Sequence, residues 1–196
     1  MRIEASRASA PDDGATRPPS RDRRLPPRGG GSERGQGLVE FALVVTPLFL
    51  LLLGIIQFGL IFNAYVTLTN ASREAARTGS IYVYDRTLTK GQNDLARNEA
   101  IRASLTDSMN LLSTAAPQFS TSGTWTQSGT TYTNGDLRVV YTLPSGVAQS
   151  DPRVGQQITV TAVYHHDLII PLIASLLPRD ANGRFALSSE VTMVVN

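Results

Sequence analysis

The groups in this chain that could do chemistry are a lone carboxylate at the head of an apolar run, a glycine just before it, and a His-His-Asp string near the C-terminus. Glu40 is the only formal charge between Arg34 and Arg73. A charged side chain near hydrocarbon is unfavourable, by roughly 2.5 to 3.5 kcal/mol at a helix centre and by less at its edge, so Glu40 calls for a cation. Gly35 lies five residues before it. A cut after Gly35 would free an α-amine on Gln36, four residues ahead of Glu40 and on the same helical face. Such an amine titrates near pH 8 and is largely protonated below that, so it could pair with its own Glu40 or with that of a neighbouring subunit. An ordinary signal anchor with an acid at its boundary is the other reading that the spacing leaves open.

His165, His166 and Asp167 form the only cluster with metal-ligating side chains, and these are the chain's two histidines. Adjacent residues of a strand point to opposite faces, so the pair is not expected to converge on one metal. No serine sits in a G-x-S-x-G elbow, and neither a P-loop nor a G-x-G-x-x-G fingerprint occurs. Asp136, Asp151, Asp180 and Glu190 are scattered and read as solvated surface. With no cysteine, disulfides, thiolate metal sites and cysteine nucleophiles are excluded. No catalytic residue, metal or cofactor is expected, and the chain is not expected to be an enzyme.

The element that must position Glu40 is the apolar run from Phe41 to Phe62, interrupted by Thr46, Pro47 and Gln57. At about 1.5 Å per residue, roughly 22 helical residues cross the ~30 Å hydrocarbon core. In lipid the backbone must bond to itself, which makes this run a transmembrane helix. Pro47 removes an N–H from the ladder and is expected to kink it. Gln57 either bonds to another helix or is a tolerated polar residue. A cleaved secretory signal would be shorter and end at small residues, unlike Asn63-Ala64-Tyr65.

Before the run, Met1 to Ser32 is rich in Arg, Pro, Ser, Gly and Asp and cannot bury enough surface to offset ordering entropy, so it reads as disordered. Met1 to Arg34 carries eight Arg against five acids, a charge of +3, and the rest of the chain carries −1. The basic excess is therefore a tail. It lacks interleaved aromatics, so no nucleic acid partner is expected. Arg21, Arg23, Arg24, Arg28 and Arg34 outnumber Arg73 and Arg77 across the run, which keeps the N-terminus cytoplasmic and exports the C-terminal part.

The string RGQGLVEFAL, a Pro shortly after it, GIIQFG and NASREAAR together resemble the TadE-like family of minor pilins (pseudopilins) of the tight-adherence, or Flp, pilus system. Gly35, Glu40 and Phe41 look like the processing motif of type IV-like prepilins: Gly, then Glu at the fifth position, then an aromatic. The resemblance covers about Arg34 to Gly79. It implies cleavage between Gly35 and Gln36 by a prepilin peptidase, charge pairing through Glu40 beside Phe41, and partnership with other pilin or pseudopilin subunits and a pilus assembly platform. Many members carry an acid where Gln57 stands and a basic residue where Leu60 stands, so a role for that pair does not transfer.

The expected fold class is α+β: a long N-terminal pilin-like transmembrane helix, then a small exported head with an amphipathic helix and an antiparallel sheet. The expected domains are a leader over 1–35, the membrane helix and its extension over 36–79, and the head over 80–196. Ala64, Leu68, Ala71 and Ala75 form a small-residue stripe, suited to the chain's own head or to another subunit. A second helix, capped by Asp94, is expected from about Asp94 to Leu112, with Ile101, Leu105, Met109 and Leu112 on one face; Pro117 closes the region. Asn134-Gly135 predicts a type I′ hairpin between Thr130–Thr133 and Asp136–Leu143, with Leu137, Val139, Tyr141 and Leu143 sharing a face. Ile158–Tyr164 and Phe185–Val195 supply further strands. The apolar stretch Leu168–Leu177 is too short to span a membrane and either covers a sheet edge or rests on the membrane surface.

Three functions follow as expectations: a TadE-like pseudopilin in the cytoplasmic membrane or the pilus, a permanently anchored exported binding module, and a tethered hydrolase. The last would require perturbed carboxylates meeting in a cleft.

Overall fold

The computed structural model describes residues 32–109, 112, 123–150 and 152–196. The reading of Met1 to Gly31, the closing role of Pro117 and Asp151 all fall outside them. The chain divides into two units, Met1–Leu43 and Val44–Asn196.

Helix α1 covers Ser32–Ser80 with Pro47 inside it, and its helical run is unbroken on either side of the proline. By length and composition it is able to cross a membrane. In the first unit, Leu38, Val39, Phe41 and Leu43 are exposed.

In the second unit the solvent-facing residues of α1 up to Phe62 are apolar apart from Thr46, and a stripe of Ile61, Ala64, Leu68, Ala71, Ala75 and Ala76 is buried in a core. That core belongs to the chain's own head. Three hydroxyls near the end of the apolar run bond back to carbonyls four residues earlier: Thr67 to Asn63, Thr69 to Tyr65 and Ser72 to Leu68. They therefore need no external partner.

Helix α2 spans Lys90–Met109, starting four residues before the expected Asp94. Its start is a capping box: the Gln92 N–H donates to Thr89 Oγ1 and the Thr89 N–H donates to Gln92 Oε1. Asp94 is therefore not a cap but a buried residue inside the helix. The apolar face stands as expected, with Ile101, Leu105 and Met109 buried and Leu112 packed against them.

Five strands follow: β1 Thr126–Ser128, β2 Thr131–Asn134, β3 Leu137–Thr142, β4 Gln157–His166 and β5 Phe185–Val194. They pair antiparallel in chain order. Helix α3, Pro171–Ala174, lies in the connection between β4 and β5. The fold is α+β with a membrane-capable helix, as the sequence predicted. Cross-strand pairs Tyr141↔Ile158 and Val139↔Val160 continue into Ile158↔Met193 and Val160↔Val191, giving one apolar face.

The β2–β3 hairpin is shifted by one residue from expectation. Asn134 pairs with Leu137, so the turn residues are Gly135 and Asp136, and only Gly135 has positive φ, at 56°. That is the pattern of a II′ turn, with Gly first, not of I′. Leu143 falls beyond the end of β3 and is exposed, so it does not join the buried face of Leu137, Val139 and Tyr141.

Candidate functional site

At the head of α1 the side chains of Gln36 and Glu40 lie on one face, and Gln36 Nε2 donates to Glu40 Oε1 at 3.1 Å. Both are exposed, as are Gly35 and Phe41. A Cβ built on Gly35 would meet nothing within 4 Å. No packing contact there requires a glycine. Gln36 and Glu40 thus come together, Phe41 follows on the exposed surface, and Pro47 lies further along α1.

Gln57 is wholly buried. It bonds neither to another helix nor to nothing: its Oε1 accepts the backbone N–H of Ile169 at 3.0 Å and of Ile170 at 3.3 Å. The stretch Leu168–Leu177 accordingly lies against α1, where Ile173 Cδ1 comes within 3.9 Å of a Cβ placed on Gly54. A sole amide in an apolar run was the signal for this contact, but its partner is distant in sequence.

Sequence reasoning missed a buried polar cluster in the head. Asp94 receives a bidentate pair from Arg153, Nε at 2.6 Å and Nη2 at 2.7 Å, and the Tyr132 hydroxyl donates to it at 3.1 Å. Arg97 Nη1 lies 3.9 Å from the same carboxylate, and its Nη2 donates to the Pro152 carbonyl. The Arg153 guanidinium stacks 4.1 Å over the Tyr141 ring, whose hydroxyl donates to Asn98 Oδ1 at 2.6 Å. Burial pushes the Tyr141 phenol well up, so it stays a neutral donor. Burial alone would lower Arg153, but the hydrogen bonds and charge of Asp94 outweigh it and hold the guanidinium above its ordinary value. Arg153 sits at φ 62°, held in that conformation by these contacts. The cue in the sequence is that Asp94 and Arg97 lie on the helical face that continues to Ile101 and Leu105, where a charge must have a buried partner.

The two histidines diverge as expected. His166 points into the core, and His165 lies on the opposite face. There, Nε2 is 3.2 Å from Asp136 Oδ1 and Nδ1 is 2.7 Å from Asp180 Oδ2. Two of the carboxylates read as scattered therefore meet at His165. The backbone N–H of Arg184, then that of Asn182, holds Asp180 below the usual carboxylate range. It is an ionised anchor of the 180–184 turn, the opposite of the raised acid that hydrolysis would require. Among the described residues no group of three or more His, Asp or Glu is placed to hold a metal ion.

The segment that carries Gly35, Gln36, Glu40, Phe41 and Gln57 has a known likeness. Residues 35–77 match the family model for TadE-like protein. The match begins at the glycine and ends just before the helix does, so it covers the exposed apolar stretch and the stripe that packs on the head. The TadE-like segment supports a role related to the pilus system, and among the described residues one helix is long and apolar enough to cross a membrane. No curated protein and no solved structure matches the chain.

Proposed function

We propose that the protein is a minor pilin or pseudopilin of the tight-adherence type, inserted as a precursor and cut after Gly35 by a prepilin peptidase. Residues 1–35 are the cytoplasmic leader, 36–79 the membrane helix with its extension, and 80–196 the exported head. Cleavage removes the charged tail and leaves an ammonium group on Gln36. That group pairs with Glu40 of its own chain or a neighbour's, neutralising the acid as apolar helices pack side by side and leave lipid for a filament or its initiating complex.

The observation that carries this reading is the Gln36–Glu40 contact of 3.1 Å at the start of the matched segment. The contact is made by the Gln36 side-chain amide; it puts residues 36 and 40 on one helical face, one turn apart, where an α-amine on residue 36 would be a neighbour of the carboxylate.

The test expresses Gly35→Leu and Glu40→Ala with the cognate peptidase and scores processing and pilus assembly separately. Gly35→Leu keeps the precursor length and assembles nothing; Glu40→Ala is cut but assembles poorly. Equal loss of both functions in Glu40→Ala contradicts the division of roles. Cleavage of neither variant nor wild type leaves an anchored exported module.

A further inference from the structure

The stretch between β4 and β5 turns part of its apolar surface outward, although Ala174 is buried and Leu168 and Leu177 pack against the core. Ile169 is 69 % exposed, Leu172 53 % and Leu176 80 %. It is tied to α1 at Gly54 and Gln57, and Leu51, Ile55 and Phe58, each within about one helical turn of those positions, are exposed as well. Gly54 and Gln57 precede Phe62, the end of the apolar run, by eight and five residues. Along a helix that is about 8–12 Å inside the edge of the run.

An element lying in a bilayer interface sinks about 5–10 Å into the boundary between headgroups and acyl chains, a range that overlaps this one. Non-helical backbone at that depth requires internal partners for its N–H groups. Just before α3, Gln57 Oε1 accepts the N–H groups of Ile169 and of the N-cap residue Ile170. Asp167 and Arg179, both exposed, flank the stretch with charge.

We propose that Leu168–Leu177 is a membrane-embedded foot of the head, buried in the leaflet on the head's side of the bilayer and held beside α1 by Gln57. Its occupant is lipid. It fixes how deep α1 sits, so that leaving the membrane requires withdrawal of the foot as well as the helix. The inference rests on α1 spanning a bilayer, as proposed above.

The chain has no native cysteine, so single cysteines report cleanly. Leu172→Cys, Leu176→Cys, Ile55→Cys on α1, and Val154→Cys, in the part of the head joined through Val195 and Asn196 to Ser80, are made in the full chain. Each is labelled with a polarity-sensitive fluorophore in phosphatidylethanolamine–phosphatidylglycerol vesicles. Labels at 172, 176 and 55 are expected to shift to the blue and lose most of their emission to a lipid-borne quencher, while 154 responds only to iodide. Lipid quenching at 55 without quenching at 172 and 176 overturns the foot and leaves the spanning helix standing. Loss at 55 as well overturns both. Shielding at 172 and 176 that ignores the lipid quencher and vanishes on diluting protein in lipid means that a second copy covers the surface, and also overturns the foot. Gln57→Leu is expected to lower lipid quenching at 172 but not at 55; unchanged quenching at 172 removes Gln57 from the account.

Discussion

Asp94 carries the polarity of the head's interior, since two arginines and a tyrosine converge on its carboxylate. Removing one partner of a buried pair strands the other charge, at a typical loss of about 3–5 kcal/mol. Asp94→Ala is therefore expected to lower stability by about that amount, read from the denaturation midpoint of the head. Asp94→Asn, which keeps an acceptor for Tyr132, is expected to lose less. His166 makes a second prediction. Burial holds its imidazole below the ordinary value, with Asp167 opposing weakly. A base whose folded value is depressed binds protons more readily when unfolded, so its stabilising share is complete above about pH 6.5 and is lost as pH falls towards the folded value. Melting temperature should fall between pH 7 and 5, and His166→Phe should flatten that dependence; an unchanged slope would remove His166 from it.

At the scale of elements, Gly79 is where helix and sheet meet most closely. A Cβ there would lie 2.6 Å from Ile101 Cδ1 and 2.9 Å from Ile158 Cδ1. Overfilling a packed core costs about 1–3 kcal/mol. Gly79→Ala should lose about that, and Ile101→Val, which removes the nearest methyl, should partly restore the double variant in thermal melts.

Elements governed by periodicity were legible in the sequence: α1 from its apolar run, the Ile101–Leu105–Met109 face, and the alternation of β3 to β5. Boundaries set by local hydrogen bonding were not. Thr89 and Gln92 form the cap that Asp94 was expected to supply, because Asp94 bonds to Arg153, 59 residues away. The hairpin turn moved by one residue because the Asn134↔Leu137 pair extends the ladder and leaves Gly135 at the first turn position. The site divides the same way. Gln36 and Glu40 are four residues apart and were readable from helical spacing, whereas the Gln57 contact with Ile169 spans 112 residues and has no local signature.

For the whole molecule, the head has its own polar core, and the proposed function adds that Glu40 pairs with a cation freed by cleavage. The extended helix and its TadE-like segment support a pilus-related role. The proposed orientation places the head outside, so Val154→Cys should react with a membrane-impermeant maleimide in intact spheroplasts; protection there until lysis would reverse the topology. The measurement that bears most directly on the central claim is the intact mass of the protein recovered from cells that carry the pilus system. The account predicts a chain beginning at Gln36. A mass that retains the residues before Gly35 would mean that the amine facing Glu40 is never formed, and would contradict it.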